Sequence, residues 1–100
     1  MRNVEWSEKA IKNLASQVKF IAGDSSGNAA RVRERVLAAI GKLADQPIGR
    51  PGRNSGTFEH FVSKTSLIVV YALPDVSRLV VIRVIHTSRD FKPGEYPPDS

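Results

Sequence analysis

No cysteine occurs in this chain of 100 residues, which excludes a disulfide scaffold, a thiolate metal site and a cysteine nucleophile. Histidine is nearly as scarce. His60 and His86 are the only two, and neither has a carboxylate at a metal-motif spacing. No serine sits in a Gly-x-Ser-x-Gly elbow, and no Gly-rich phosphate loop joins a strand to a helix. A metal site or a serine hydrolase is therefore not expected, and neither is a cofactor. Aromatic residues make up 7% of the chain; Trp6, Phe58, Phe61 and Phe91 read as core and rim, not as a stacking platform for bases. No apolar run reaches membrane-spanning length, and the opening Met1-Arg2-Asn3-Val4-Glu5 is too polar for a signal peptide. The expectation is a soluble cytoplasmic protein that makes no use of a membrane.

An apolar fraction of 41%, with seven glycines and six prolines, is that of an ordinary folded domain. A chain of this length forms one domain with one core. We place it over residues 1–92, followed by a Pro-rich, mobile tail over 93–100. Acidic residues are in short supply: 15 Lys and Arg stand against 10 Asp and Glu, for a net charge of +5. Such a balance draws a protein towards nucleic acid, the ribosome or an acidic protein segment, or else it is a solvated surface with a basic bias. Residues 31–53 hold six cations against Glu34 and Asp45, so four of the five net charges fall there.

The hydrophobic period divides the chain in two. Val4 and Trp6 share a face if residues 2–6 are extended, which predicts an edge strand. Ser7 then caps a helix with Glu8 at its positive end. In that helix Ile11, Leu14, Val18 and Ile21 form one stripe. The segment Gly23-Asp24-Ser25-Ser26-Gly27 stops it and opens a second helix, striped by Ala29, Val32, Val36, Ile40 and Leu43. Gly41 costs this helix about 1 kcal/mol relative to alanine, and its presence suggests close approach by the other helix or a strand. A five-residue connection implies an antiparallel helical hairpin. Residues 47–56 read as a loop dense in turn formers. Thr57–Val62, Leu67–Leu73 and Leu79–His86 then read as strands joined by short turns, which favours an antiparallel meander. The expected fold class is α+β, in the order β-α-α-β-β-β, with the hairpin packed on a small, mainly antiparallel twisted sheet.

Cations are the remaining carriers of chemistry. Arg83 interrupts an apolar strand, so it must face solvent, pair with Glu59 across the sheet, or serve as a partner- or phosphate-facing cation. His86 lies three residues along and so on the opposite face. It can transfer protons near neutrality, or it makes a structural hydrogen bond. Arg50-Pro51-Gly52-Arg53 is either an anion-binding loop or a surface turn with incidental charge. Arg31, Arg33 and Arg35 crowd one helix but at a spacing that spreads them around it.

Trp6-Ser7, Leu43-Ala-Asp-Gln-Pro47, Gly49-Arg-Pro-Gly-Arg53, Gly56-Thr57-Phe58-Glu59, Val70-Tyr71 and Arg83-Val-Ile-His86-Thr-Ser-Arg89-Asp90-Phe91 follow one another at characteristic spacings. Their order resembles the RelE/ParE superfamily of bacterial type II toxin–antitoxin toxins over nearly the whole chain. The resemblance implies a compact α+β toxin held inactive by a cognate antitoxin that wraps it. RelE-like members cleave mRNA in the ribosome; ParE-like members poison DNA gyrase. RelE-like sequences usually carry an arginine just before the Val-Tyr of the central strand and lysines on the strand before it. Here Val69 precedes Val70-Tyr71, and Glu59 and Phe61 stand on the preceding strand. Those cations would stabilise the charge of phosphoryl transfer; the Gly49-Arg-Pro-Gly-Arg53 and Gly56-Thr57-Phe58-Glu59 stretch and the His86-Thr-Ser-Arg89-Asp90 ending look more ParE-like. The implied function is growth inhibition through gyrase. The alternatives are a ribosome-dependent mRNA endonuclease using Arg83, His86 and Arg89, or an antitoxin-binding member that has lost toxicity. Arg50, Arg53, Arg83 and Arg89 are the candidates for target contact, and Arg31, Arg33 and Arg35 for antitoxin contact. Phe91 is expected to dock near the core. The oligomeric state is left open.

Overall fold

The computed structural model describes residues 2–46 and 56–87, and residues 50 and 51 by their backbone. Strand β1 (Asn3–Trp6) leads into helix α1 (Glu8–Ala22), helix α2 (Ser26–Asp45), the short strand β2 (Arg50–Pro51), and strands β3 (Thr57–Phe61), β4 (Leu67–Asp75) and β5 (Arg78–His86). The sheet order is β1-β5-β4-β3-β2. Only β1 pairs in parallel, with β5; the other pairings are antiparallel. The expected α+β architecture holds, with one addition. Within the segment read as a loop, Arg50 and Pro51 pair with Glu59 and Phe58 at the sheet edge, a position that tolerates proline because no ladder bond is required of it. Among the described residues no helix is long and apolar enough to cross a membrane.

Both helix starts are as the sequence predicts. The Ser7 hydroxyl accepts from the Ala10 N–H at 3.0 Å and the Ser25 hydroxyl from the Asn28 N–H at 3.1 Å. The connection is shorter than expected, only Gly23 to Ser25. Gly23 itself stays in the right-handed region, with φ −60°, so glycine's freedom is not what ends α1.

The α2 stripe is buried throughout. It packs with Val69, Tyr71, Leu79, Val81 and Val84 into one core. The α1 stripe is a correction. Ala10 and Gln17 are buried, whereas Ile11 is 56% exposed. Ala10 turns inward because the small side chain lets α1 lie close on β5, and that rotation pushes Ile11 and Val18 towards the solvent side of the hairpin. Gly41 is a second correction: a Cβ built there meets nothing within 4 Å, so no element approaches it closely.

A bulge in β5 sets which residues face which way. Val70 pairs with Arg83 and Tyr71 with Val81, leaving Ile82 as the extra residue. Bulges free backbone groups, and α1 satisfies them here. The Ser7 hydroxyl donates to the Ile82 carbonyl at 2.7 Å, the Ser7 N–H to the Val81 carbonyl at 2.9 Å, and the Val84 N–H donates to the Asn13 amide oxygen at 3.2 Å.

Candidate functional site

Rows of paired residues share a face of the sheet. His60–Val69–Val84 and Phe58–Tyr71–Val81 line the face that the helices cover, and Leu67–His86 lies on the same side. Glu59–Val70–Arg83 and Phe61–Ile68–Ile85 form rows on the opposite face, which we call the open face because Arg83 and Phe61 are exposed on it, although Glu59, Ile68 and Ile85 are buried. Arg83 is exposed there, the solvent-facing outcome expected of a lone guanidinium in an apolar strand. Glu59 is only 5% exposed and is partnered. It stands two strands away from Arg83, with Val70 between them, and Arg83 makes no ion pair with any described residue. By its backbone, Arg50 is the register partner of Glu59 across the β2–β3 pairing.

His86 is half-buried on the helix face, so β5 presents Arg83 and His86 in opposite directions. Tyr71 is fully buried, its ring 5.6 Å from that of Phe58 and nearly parallel to it. Burial raises the Tyr71 pKa against a smaller opposing pull from Arg2, so its hydroxyl stays protonated and enclosed. Arg53, Arg89, Phe91 and the tail over 93–100 lie outside the described residues.

The three helix arginines divide. Arg33 borders a cleft of about 400 Å³ between α1 and α2, lined by Trp6, Ile11, Leu14, Val18 and Leu37. Arg35 is half-buried on the other flank of α2, its guanidinium 3.5 Å from the Lys64 carbonyl in the β3–β4 turn. Arg31 is exposed. The sequence reading missed the cleft, because it counted Ile11 and Val18 as core. The signal was present: two adjacent stripes, Ala10-Leu14-Gln17-Ile21 and Ile11-Leu14-Val18-Ile21, fit the same helical period.

A further charge cluster ties β1 to the β4–β5 turn. Arg78 Nε donates to Asp75 Oδ2 at 3.1 Å and its Nη1 to Glu5 Oε1 at 3.4 Å. Asp75 also accepts from the Ser77 hydroxyl at 2.7 Å and the Ser77 N–H at 2.9 Å. The Ser77 bonds, with help from Arg78, lower the Asp75 pKa to about 2. This constellation closes a turn and leaves no free acid or base.

Residues 4–91 match the family described as the ParE toxin of type II toxin–antitoxin systems, parDE. This chain belongs to the ParE toxin family. The match runs from β1 past the end of β5 and so takes in both helices and the whole meander. Y4kP of Sinorhizobium fredii, a protein named as a candidate toxin, is 32% identical over 83 residues, covering 81% of this chain and 86% of that protein. The ParE-family chain also shares its fold with solved toxin–antitoxin proteins. It superposes on a chain of the chromosomal ParDE system from P. aeruginosa with a TM-score of 0.76 at 15% identity, covering 88% of this chain and 98% of that one. On a chain of the intact E. coli RelBE toxin–antitoxin complex the TM-score is 0.64 at 16% identity, over 89% and 100%. The protein is thus a toxin of a type II system, built on the fold common to the ParE and RelE branches.

Proposed function

We propose that this ParE-family toxin inhibits growth by binding DNA gyrase, without catalysis of its own, and that a cognate antitoxin neutralises it. The observation that carries the reading is the open face of the sheet. In its two central rows Arg83 is exposed beside the exposed Phe61 and the half-buried Val70, while Glu59, Ile68 and Ile85 are buried, and Arg50 is the register partner of Glu59 at the edge of the Arg83 row. Phosphoryl transfer needs several donors aimed at the charge that develops on the phosphate. Among the described residues two groups that could join Arg83 are turned away: His86 points to the helix face and Tyr71 is enclosed there. An exposed guanidinium beside an exposed phenylalanine and a half-buried valine is instead suited to a protein partner, for which an aromatic or aliphatic patch with an arginine anchor is the usual chemistry.

The antitoxin is proposed to lay an amphipathic helix in the α1–α2 cleft, in the helix-in-groove mode. Ile11 and Leu37, exposed at 56% and 39%, await a cover, and Arg33 at the border favours an acidic residue on the incoming helix. Arg31, four residues before Arg35, is exposed on the Arg35 flank of α2 and so stands away from the cleft. Arg35 is placed for another task.

Expression from a tightly repressed promoter separates the readings. Loss of negative supercoiling by purified gyrase with toxin present, together with unchanged translation and no cleavage of mRNA on purified ribosomes, is the expected result. Cleavage of mRNA in the ribosomal A site with gyrase unaffected would establish the endonuclease instead. Growth without impairment, with antitoxin binding retained, would identify a member that has lost its toxicity.

A further inference from the structure

A second cavity, of about 360 Å³, opens between the C-terminal half of α2 and the β3–β4 turn. Arg35 and Lys42 line it from the helix, Lys64 and Ser63 from the turn, and His60 from β3. Ala38 and Ala39 stand between the two helical cations, and their short side chains leave the space open. Among the described residues no carboxylate lines it. Among the described residues Arg35, Lys42 and Lys64 pair with no acid, whereas Arg78 and Lys12 find carboxylates at 3.1 to 3.4 Å. Three like charges around one cavity repel one another until an anion enters.

Lys64 carries a further mark. Its φ of 63° is the only positive value at a non-glycine among the described residues. Glycine or asparagine is the ordinary occupant of such a position, and a lysine there is strained by roughly 1–2 kcal/mol. Thr65 fixes the turn: its hydroxyl donates to the Val62 carbonyl at 2.7 Å and accepts from the Leu67 N–H at 3.0 Å. The turn therefore holds a cation at the rim of the cavity in a conformation that a lysine does not choose by itself.

We propose that this cavity binds a phosphate group. The charge favours phosphate over a side-chain carboxylate, since one carboxylate offsets only one of three cations, while a phosphate dianion or successive backbone phosphates offset two or more. The Arg35 fork, the two ammonium groups and the Ser63 hydroxyl are all donors, as a ligand composed of acceptor oxygens requires. Burial lowers the His60 pKa, so at neutral pH the imidazole adds a neutral N–H without adding to the repulsion. The site is independent of the gyrase reading, for it lies on the helix side of the sheet edge and Arg83 lies on the open face.

The test is a titration of the full-length toxin followed by amide NMR, at constant ionic strength, with pyrophosphate, a twelve-nucleotide single strand, acetate and a Glu-rich peptide. Saturable shifts confined to Arg35, Lys42, His60, Ser63 and Lys64 are expected with a phosphate ligand. Lys42→Gln and Lys64→Gly should each weaken binding by about tenfold, as loss of one charge-assisted contact does. Lys64→Gly relieves the backbone strain, so it should melt no lower than the wild type while binding more weakly, which a merely structural lysine would not do. If the strand binds and its salt slope falls by about one for each lysine removed, the phosphate is that of a nucleic-acid backbone. If pyrophosphate binds as well as the strand, it is a free phosphate. No saturation with either at up to roughly 10 mM, tighter binding of the acidic peptide, or affinities unchanged in both variants would overturn the proposal.

Discussion

Replacing Ser7 tests the joint on which the sheet's geometry rests. Its hydroxyl has two tasks, accepting from the Ala10 N–H and donating to the Ile82 carbonyl in the β5 bulge. Ser7→Ala removes an N-cap worth about 1 kcal/mol and leaves a part-buried carbonyl unsatisfied, at about 1 kcal/mol more. The expected loss of about 2 kcal/mol corresponds to roughly 10 °C in melting temperature for a domain of this size. Two further variants separate the tasks. Threonine keeps both bonds and should melt within a few degrees of the wild type. Aspartate caps as well as serine, but its ionised carboxylate cannot donate and sits against the Ile82 carbonyl, so it should recover no more than half the loss. Thermal melts by circular dichroism rank the four proteins, and hydrogen exchange at the Val84 amide, held by Asn13, reports whether the bulge loosens. An aspartate variant as stable as the wild type would refute the clamp on Ile82, and an alanine variant within a couple of degrees would refute both roles.

Gly41→Ala should stabilise the protein by about 0.5–1 kcal/mol, because the new Cβ meets open space in a helix interior that disfavours glycine; a lower melting temperature would contradict this. Asp75 has a depressed folded pKa of about 2 against an ordinary 3.8, so its contribution to stability is fully present above pH 4 and is lost as pH falls towards 2. Denaturant midpoints of wild type and Asp75→Asn should accordingly differ at neutral pH and converge in acid. Arg83→Ala should abolish growth inhibition while shifting stability by no more than about 0.5 kcal/mol, as for other exposed side chains; retained toxicity on a plate assay would remove Arg83 from the target surface. Truncating Ile11 and Leu37 together to alanine, each roughly half exposed, should weaken antitoxin binding by about 30-fold, at about 1 kcal/mol for the remaining area of each, measured by calorimetry.

The features legible in the sequence were local. The cap at Ser7, the start of α2 within the Gly23–Gly27 segment, the buried α2 stripe and the three meander strands each depend on residues a few positions apart, and each is found where the pattern placed it. Arg83 was legible as well, since a guanidinium among valines and isoleucines has few places to go. The rotation of α1 was not, because two neighbouring stripes satisfy one period and only the close packing of Ala10 on β5 decides between them. The pairing of Arg50 and Pro51 with β3 depends on an edge that exists only once β3 and β4 have met. The phosphate cavity was hidden for the same reason. Arg35, Lys42, His60 and Lys64 come from three elements, and the serine- and lysine-bearing turn Ser63-Lys64-Thr65-Ser66 contains no glycine to announce a positive φ. The spread of Arg33 and Arg35 around α2 was legible from their spacing. Two residues along a helix is about 200° around it, which sends Arg33 to the α1 side and Arg35 to the β3 side.

A net charge of +5 says that this protein favours anionic partners but not where it meets them. Pairing locates the places. Lys12 is neutralised by Glu8 four residues away, and Arg78 by Glu5 and Asp75, so these cations are spent within the fold. Among those left over, Arg33 stands beside the apolar cleft, Arg35 with Lys42 and Lys64 around the cavity, and Arg83 on the face of the sheet away from the helices. Strand β3 keeps the last two apart, since His60 in the cavity and Glu59 in the Arg83 row are adjacent residues and therefore point to opposite sides. A ligand in the cavity and a protein on the open face need not compete. The α1–α2 cleft is bordered by the same helix whose Ser7 and Asn13 hold the β5 bulge. That bulge in turn sets the side on which Arg83 emerges. An antitoxin helix seated in the cleft, as proposed, would therefore bear on the element that positions Arg83.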